Sequence, residues 1–350
     1  MRISLVTLGD PATPTGGYLY HRRMAEAAPQ YGASITFVSL PSWPFPLPLA
    51  WGALLRSRTR SADVVVLDSI AAAQSAPWLP SRRQKPPLVA MLHQPPGGID
   101  HGMLRSVVQG LLDRWAYSRA ARLLVASHAL ADEMAVAGMP RSEMIVVPPG
   151  RDVASRADRV GDLRRGRAAA LLCVGNWVAR KGILELLEAF ARLDERLGTL
   201  HLVGDGRSGT PYGNEVRCRV AADDLSGRVV VHGVVPPERV AGMYRAADAF
   251  VLPSVREPYG TVYGEAMAEG LPVVGWDAGN LPYLATDGRE GFVLGSGDID
   301  ALFRALERLC SDEALRQRMA EAARHRARSL PTWADTARAF FGATRAVIGG

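Results

Sequence analysis

The stretch AFVLPSVREPYGTVYGEAMAEGLPVV occupies residues 249–274. An apolar run, Ala249 to Leu252, predicts a strand. A Pro-containing turn follows, then a helix over 261–269 and a second strand over 272–275. Glu257 and Glu265 stand eight positions apart across that turn. A carboxylate at the C-terminal edge of a strand, beside a helix N-terminus, is placed to grip ligand hydroxyls. The amides of Gly260, Thr261, Val262 and Tyr263 head the helix without intrahelical partners and can face an anion. A ligand with a sugar joined to a phosphate needs both.

The same strand–helix alternation extends in both directions. In the first half, strands are expected at 2–8, 34–40, 63–68, 87–92, 122–126 and 144–148, and helices at 18–28, 103–119 and 128–137. In the second half, strands are expected at 169–174, 199–203, 228–232, 248–252, 272–275 and 291–294, and helices at 182–197, 236–246, 261–269, 298–310 and 312–329. Continuous Val/Ile/Leu runs of this kind mark parallel strands buried on both faces. Residues 148–168 are rich in Pro, Gly and charge, lack periodicity and read as a linker. The predicted class is α/β, with two Rossmann-like doubly wound parallel-sheet domains facing a cleft. The boundaries are 1–155 for the first domain and 156–330 for the second. Residues 331–350 carry one more amphipathic helix, after Pro331.

The chain has 350 residues, 48% of them hydrophobic and 22% charged, which fits an ordinary globular protein with two cores. Cys173, Cys218 and Cys310 lie far apart, form no CxxC and point to a reducing compartment. The start MRISLVTL enters a strand directly and has no signal-peptide layout. No apolar run approaches the roughly 20 residues that span a bilayer; the nearest, Pro44 to Leu55, is broken by Pro46 and Pro48. The expected location is cytoplasmic, with the inner face of the membrane left open. The net charge is +6 and uneven: residues 1–155 carry 15 Lys+Arg against 10 Asp+Glu, and residues 156–350 carry 26 against 25. A basic first half suits anionic lipid or a phosphorylated acceptor, and ordinary solubility charge accounts for it equally well.

Three further motifs carry polar chemistry. Gly16 and Gly17 open the first helix after the first strand, where a ligand backbone or anion can approach closely; a tight turn is the plainer explanation. Asn176, Arg180 and Lys181 lie in VGNWVARKG, between the first strand of the second half and its helix. Cations there can neutralise a diphosphate leaving group, and they oppose the helix dipole, so an idle basic helix start is disfavoured. Lys85 and Lys181 are the only lysines among 41 basic residues. A compact ammonium kept where Arg is otherwise preferred points to a specific need at Lys181. His93 ends an apolar strand and enters a Gly/Pro loop, where its ring can bond a hydroxyl or phosphate or serve the structure alone. His21, His101, His128, His201, His232 and His325 look incidental, and no pair has zinc-type spacing.

Gly204 to Gly209, GDGRSG, matches GxGxxG after a strand, but Thr210-Pro211 follows where a dinucleotide fingerprint opens directly into a helix. NAD is therefore not expected. No GxSxG or P-loop occurs.

Together these motifs, in this order and over nearly the whole chain, resemble the retaining glycosyltransferases of family 4, which have the GT-B fold. EPYGTVYGEAMAEGLPVV is similar to the family's Glu-x7-Glu signature. The resemblance implies that Glu257 grips donor-sugar hydroxyls and Glu265 the ribose, with the backbone of Gly260, Thr261 and Val262 on the diphosphate. It assigns Lys181 to the phosphate, Gly16 and Gly17 to the glycine loop, and His93 to the sugar site. VHGVVP, with Val234, is similar to the stretch whose backbone reads the nucleobase. The resemblance makes 1–155 the acceptor-binding domain and 156–330 the nucleotide-sugar-binding domain, and the helix near Trp333 matches the family's tail, which crosses back onto the first domain. Relatives carry Arg where this chain has Asn176, and Arg180 is expected to replace that charge.

The resulting expectation is a hexosyltransferase acting by front-face attack. It uses a UDP- or GDP-sugar donor, an unidentified acceptor, no metal, no cofactor and no nucleic acid. Glu257, Lys181 and His93 form the catalytic set. A sugar-nucleotide 2-epimerase, a phosphorylase using free phosphate and a non-catalytic nucleotide-sugar-binding protein stay open as other readings. The acceptor site is expected near Pro41–Arg60 and His93–Met103. The stretch Trp43 to Trp51, followed by Arg56, Arg58 and Arg60, leaves open a peripheral membrane contact through the first domain, or simply a Pro-rich surface loop.

Overall fold

The structure, a computed structural model, describes residues 1–12, 16–42, 55–82, 84–99, 102–151 and 158–349, apart from the side chain of Arg56. Thr13 to Thr15 of the glycine loop, Trp43 to Trp51, His101 and residues 152–157 of the expected linker therefore lie outside the described residues. Among those described, the chain forms two units. One comprises Met1–Gly150 with Pro331–Gly350, the other Arg151–Leu330.

The first unit holds a six-stranded parallel sheet: β1 (Arg2–Leu8), β2 (Ser34–Leu40), β3 (Val64–Asp68), β4 (Leu88–Leu92), β5 (Arg122–Val125) and β6 (Met144–Val146). The strand order is β2-β1-β3-β4-β5-β6, so the sequence reverses direction between β1 and β3. All five residues of β3 and of β4 are buried, as unbroken aliphatic runs require of a sheet covered on both faces. Its helices are α1 (Gly16–Ala27), α2 (Leu55–Thr59), α3 (Ser69–Ser75), α4 (Met103–Ser118) and α5 (His128–Val136). The short α3, SIAAAQS, has no amphipathic signature to read. It is nucleated by Asp68, whose carboxylate accepts from the Ile70 amide at its N-terminus.

The second unit repeats the plan with β7 (Ala169–Val174), β8 (Gly198–Val203), β9 (Val229–Gly233), β10 (Ala249–Val251), β11 (Val273–Trp276) and β12 (Gly291–Leu294). The order β12-β11-β10-β7-β8-β9 is that of the doubly wound nucleotide fold, with its switch point between β7 and β10. The helices are α6 (Ile183–Ala191), α7 (Pro211–Val220), α8 (Pro237–Ala246), α9 (Thr261–Ala268), α10 (Leu281–Leu284), α11 (Ile299–Ser311) and α12 (Glu313–Arg328). One core, built around Trp276, Phe190, Phe250 and Tyr263, fills this unit.

Two readings are corrected. The helix expected over 182–197 stops at Ala191, because Asp194 turns its carboxylate back onto the Arg196 amide, 2.9 Å away, and closes a turn instead. Thr210-Pro211 does not interrupt a helix but starts one. Thr210 Oγ1 accepts from the Gly213 amide at 3.1 Å, and Pro211 takes the first position of α7, where its missing N–H costs nothing.

The last helix, α13 (Trp333–Gly349), is part of the first unit. Its Phe341 stacks on Tyr31 with centroids 4.7 Å apart, and Thr336 Oγ1 donates to the Pro148 carbonyl at 2.8 Å. Trp333 presses on Gly150, where a Cβ would lie 2.2 Å from the Trp333 nitrogen.

Candidate functional site

In the second unit, the loops that leave β7 and β10 flank the switch point and are fastened to each other. The Arg180 carbonyl accepts from the Val255 amide at 2.9 Å and from Ser254 Oγ at 2.9 Å. Gly182 sits at φ +67°, and a Cβ there would lie 2.1 Å from the Pro253 carbonyl oxygen, so close approach and a left-handed backbone both demand glycine. Arg180 Nη1 donates to the Arg256 carbonyl at 3.0 Å. This clasp brings Lys181 and Glu257 together: the Lys181 ammonium donates directly to Glu257 Oε2. Their side chains are 11% and 12% exposed, so the pair is largely out of water yet open on one side.

A third loop, after β11, completes the surroundings of Glu257. The Asn280 amide donates to the Glu257 carbonyl at 3.0 Å, and Asn280 Nδ2 donates to the Tyr259 carbonyl at 2.9 Å. Gly279, at φ +55°, admits the backbone of Glu257: a Cβ there would lie 2.6 Å from its nitrogen. Ser254, Gly279 and Asn280 thus shape the turn. No local signal marks Gly279 and Asn280, which stand more than twenty positions from the residues they hold.

Gly260 adopts φ +72° and caps α9, so Thr261 and Val262 head a helix whose first amides have no partner within it. The positive end of the α9 dipole therefore lies just beyond the turn that carries Glu257. Glu265, one turn further, is half-buried, and its Oε2 accepts from Tyr244 Oη at 3.3 Å. The two glutamates of the motif thus have different neighbours. Asn176 is exposed, and its Oδ1 accepts from the Asp205 amide at 3.1 Å, which ties it to the loop after β8. Val234, beyond β9, is 77% exposed.

In the first unit, the switch point between β1 and β3 carries a separate polar cluster. His93 follows β4 and is 6% exposed. Gly17 lies against it, since a Cβ there would be 3.7 Å from His93 Cδ2; Gly16 is exposed at the helix start. His21, expected to be incidental, is not. Its Nε2 lies 2.8 Å from Asp68 Oδ2, Thr7 Oγ1 donates to the same oxygen at 3.0 Å, and the His21 and His93 rings are 4.8 Å apart. The partners are 47 positions apart in sequence, so no local spacing could reveal them. Burial pushes the His93 ring down to about 3, with His21 adding to the effect, so His93 is a neutral imidazole at neutral pH. Burial pushes the Asp68 carboxyl up, but His21 and His93 outweigh it and hold the group down at about 2.

Ligand atoms of His21, Asp68 and His93 lie within 4.8 Å of one another, a set of donors that suits a transition metal and that the sequence spacing did not show. Here Asp68 Oδ2 is already engaged by Thr7 and His21. A second unforeseen pair joins His201 Nδ1 and His232 Nε2 at 2.9 Å.

Two family models together match nearly the whole chain: "Glycosyltransferase Family 4" over residues 2–155 and "Glycosyl transferases group 1" over residues 156–326. The chain is 33% identical over 211 residues to a D-inositol 3-phosphate glycosyltransferase of Corynebacterium kroppenstedtii, covering 57% of this chain and 45% of that one. It is 32% identical over 235 residues to a phosphatidyl-myo-inositol mannosyltransferase of Mycolicibacterium smegmatis, covering 66% and 58%. It spans about half the length of the curated relatives it matches. Among solved structures, a sucrose-phosphate synthase of Thermosynechococcus elongatus superposes with a TM-score of 0.83 at 21% identity, covering 99% of both chains. HepE of Anabaena, in complex with UDP and glucose, superposes with a TM-score of 0.81 at 19% identity, covering 98% of this chain and 99% of that one. These likenesses give the fold as GT-B, and the two family models place the chain in glycosyltransferase family 4.

Proposed function

We propose that the protein transfers a hexose-type sugar from a nucleotide-diphosphate sugar to a hydroxyl acceptor with retention of anomeric configuration. The observation that carries this reading is the Lys181–Glu257 pair, set at the switch point beside the open N-terminus of α9. The diphosphate takes the Lys181 ammonium and the amides of Thr261 and Val262. Glu257, released from Lys181, turns to the sugar hydroxyls, and Glu265 takes the ribose. Arg180 adds positive charge in place of the Arg that relatives carry at Asn176, and the backbone near Val234 meets the base. The similarity to a structure containing UDP and glucose supports a donor of this class.

The anomeric C–O bond to the diphosphate breaks and a C–O bond to the acceptor forms on the same face. The acceptor's proton passes to the departing diphosphate oxygen, so no carboxylate base is required. Each fixed donor to the developing charge is worth roughly 3–4 kcal/mol in such sites. In the first unit, the neutral His93 imidazole and the amides at Gly16 and Gly17 are the polar groups this reading assigns to a ligand.

The test is nucleoside-diphosphate release from a panel of UDP- and GDP-sugars, with water as the default acceptor, by wild type, Glu257→Ala and Lys181→Ala. Both variants lose about a hundredfold or more in rate if these groups act on the transition state. Near-normal rates in both folded variants defeat the mechanism. Binding without turnover in wild type favours a sugar-nucleotide-binding protein. Interconversion of the donor's sugar without glycosylated product favours an epimerase.

A further inference from the structure

Helix α4 carries its apolar face outward. Met103, Leu104, Val107, Val108, Leu111 and Trp115 are exposed at 85, 79, 56, 40, 59 and 41%. At 3.6 residues per turn these six cover a contiguous arc of about 140°. The face that packs inward, on α3, is made of Gln109, Gly110, Asp113, Ala116 and Tyr117. The helix thus buries residues that are, Tyr117 aside, smaller and more polar than those it exposes. A single exposed leucine is ordinary, but six neighbouring large apolar side chains form a patch of the kind that binds something.

The charges on the helix indicate what that is. Arg105 is exposed, Arg114 lies within the apolar arc, and the Arg119 guanidinium sits 5.8 Å from the Trp115 ring centroid at the helix end. The single acid of α4, Asp113, points inward and accepts from the Gly97 amide at 2.9 Å. Among the described residues of α4, the outer face therefore carries cations and no acid. A two-fold pairing of this face with a second copy would set arginine against arginine with no acid to relieve the repulsion. At 16 residues α4 is too short to cross a bilayer, and no described helix is long and apolar enough to do so. Apolar residues flanked by arginine on one face of a helix that cannot span are the features of a helix lying in a membrane interface.

We propose that the first unit docks on anionic membrane surfaces through the outer face of α4. Six apolar side chains enter the headgroup–acyl boundary, and Arg105, Arg114 and Arg119 meet lipid phosphates. The inner face of the same helix holds the loop that carries His93. Asp113 binds Gly97, and Gly110 is so close that a Cβ there would lie 3.4 Å from the Gly97 nitrogen. Docking therefore sets the His93 loop one helix diameter from the lipid surface. Membrane docking does not depend on the proposed reaction and is measurable without turnover.

The experiment is co-sedimentation of the full chain with vesicles. Wild type pellets with phosphatidylcholine–phosphatidylglycerol vesicles, and less with phosphatidylcholine alone or at high salt. L104S/V107S/L111S alters only exposed side chains; it keeps the wild-type melting profile and binds anionic vesicles at least about tenfold more weakly. R105Q/R119Q keeps residual binding and loses the preference for phosphatidylglycerol. Wild type that stays in the supernatant with every vesicle overturns the proposal. So does binding that the triple variant retains and a W43S/W51S variant loses, because the contact then lies in residues 43–51. A wild type that is dimeric by light scattering, and becomes monomeric in the triple variant, also overturns it by giving the face to a second copy.

Discussion

Removing one member of the Lys181–Glu257 pair is worse than removing both. Each side chain is nearly nine-tenths buried, so Lys181→Met leaves the Glu257 carboxylate largely out of water without its cation, and Glu257→Gln leaves the ammonium in the same position. Breaking a fully buried pair in this way costs about 3–5 kcal/mol, and the opening to solvent on one side reduces that here to about 2 kcal/mol. The double variant gives up the attraction but leaves no orphan charge, so it costs about 1 kcal/mol, and the cycle shows a coupling of about 3 kcal/mol. In a unit the size of Arg151–Leu330 each kcal/mol moves Tm by about 2–4 °C. The single variants therefore melt about 4–8 °C below wild type and the double about 2–4 °C below. Calorimetry of the four proteins gives the cycle directly. A second arm adds a nucleoside diphosphate to each: Glu257→Gln, with Lys181 released, is stabilised at least as much as wild type, and Lys181→Met is not. Additive single effects, within about 0.5 kcal/mol, refute the pairing. Undiminished diphosphate stabilisation of Lys181→Met refutes the role given to the lysine.

Two other perturbations address the frame around the site. Gly182→Ala forces a Cβ against the Pro253 carbonyl at a left-handed φ of +67°, and loses about 2 kcal/mol or more together with much of the diphosphate-induced Tm shift. Gly209→Ala, at φ +83° with open space around its Cβ, loses only about 1 kcal/mol and keeps that shift; equal losses in the two would remove the argument for a close-packed clasp. Asp113→Asn changes the pH profile. Burial raises the Asp113 carboxyl from 3.8 to about 7, against the opposing Gly97 amide, so the folded state holds a proton that the unfolded chain has already lost. That contribution is complete below 3.8 and disappears as pH rises through about 7. Asparagine carries no charge to bury, so urea melts of Asp113→Asn stay level where wild type weakens, between pH 3.8 and about 7. Parallel profiles would show that Asp113 ionises normally.

The elements around the motif were legible because their signals are local. Aliphatic runs gave β7, β10 and β11, the Gly-Thr step after a Pro-containing turn gave the start of α9, and Pro331 gave the start of the last helix. Where the local signal was weak or ambiguous, the reading failed. The seven residues of α3 have no polar face to mark a period, and Thr210-Pro211 serves equally as a helix breaker or a helix start until its cap bond to Gly213 is seen.

The class of fold could be read from the chain, as could the side chains that are chemically equipped: a lysine in the loop after β7, two glutamates around the start of α9, a histidine after β4. Whom they meet depends on the packing of distant segments. Lys181 and Glu257 are 76 positions apart and touch because β7 and β10 are neighbours at the switch point. His21, incidental by its sequence, meets Asp68 because the fold brings α1 to the end of β3 across 47 positions. Periodicity likewise gives α4 an apolar stripe but not the direction in which it points. That was decided by the small residues of α3 and by Gly97, which take the side of the helix made of Gln109, Gly110, Asp113, Ala116 and Tyr117 and leave Leu104 and Leu111 outside. A residue's type is written in the chain, whereas its neighbours depend on closure over long loops, and contacts of that kind are what turn equipped side chains into a site.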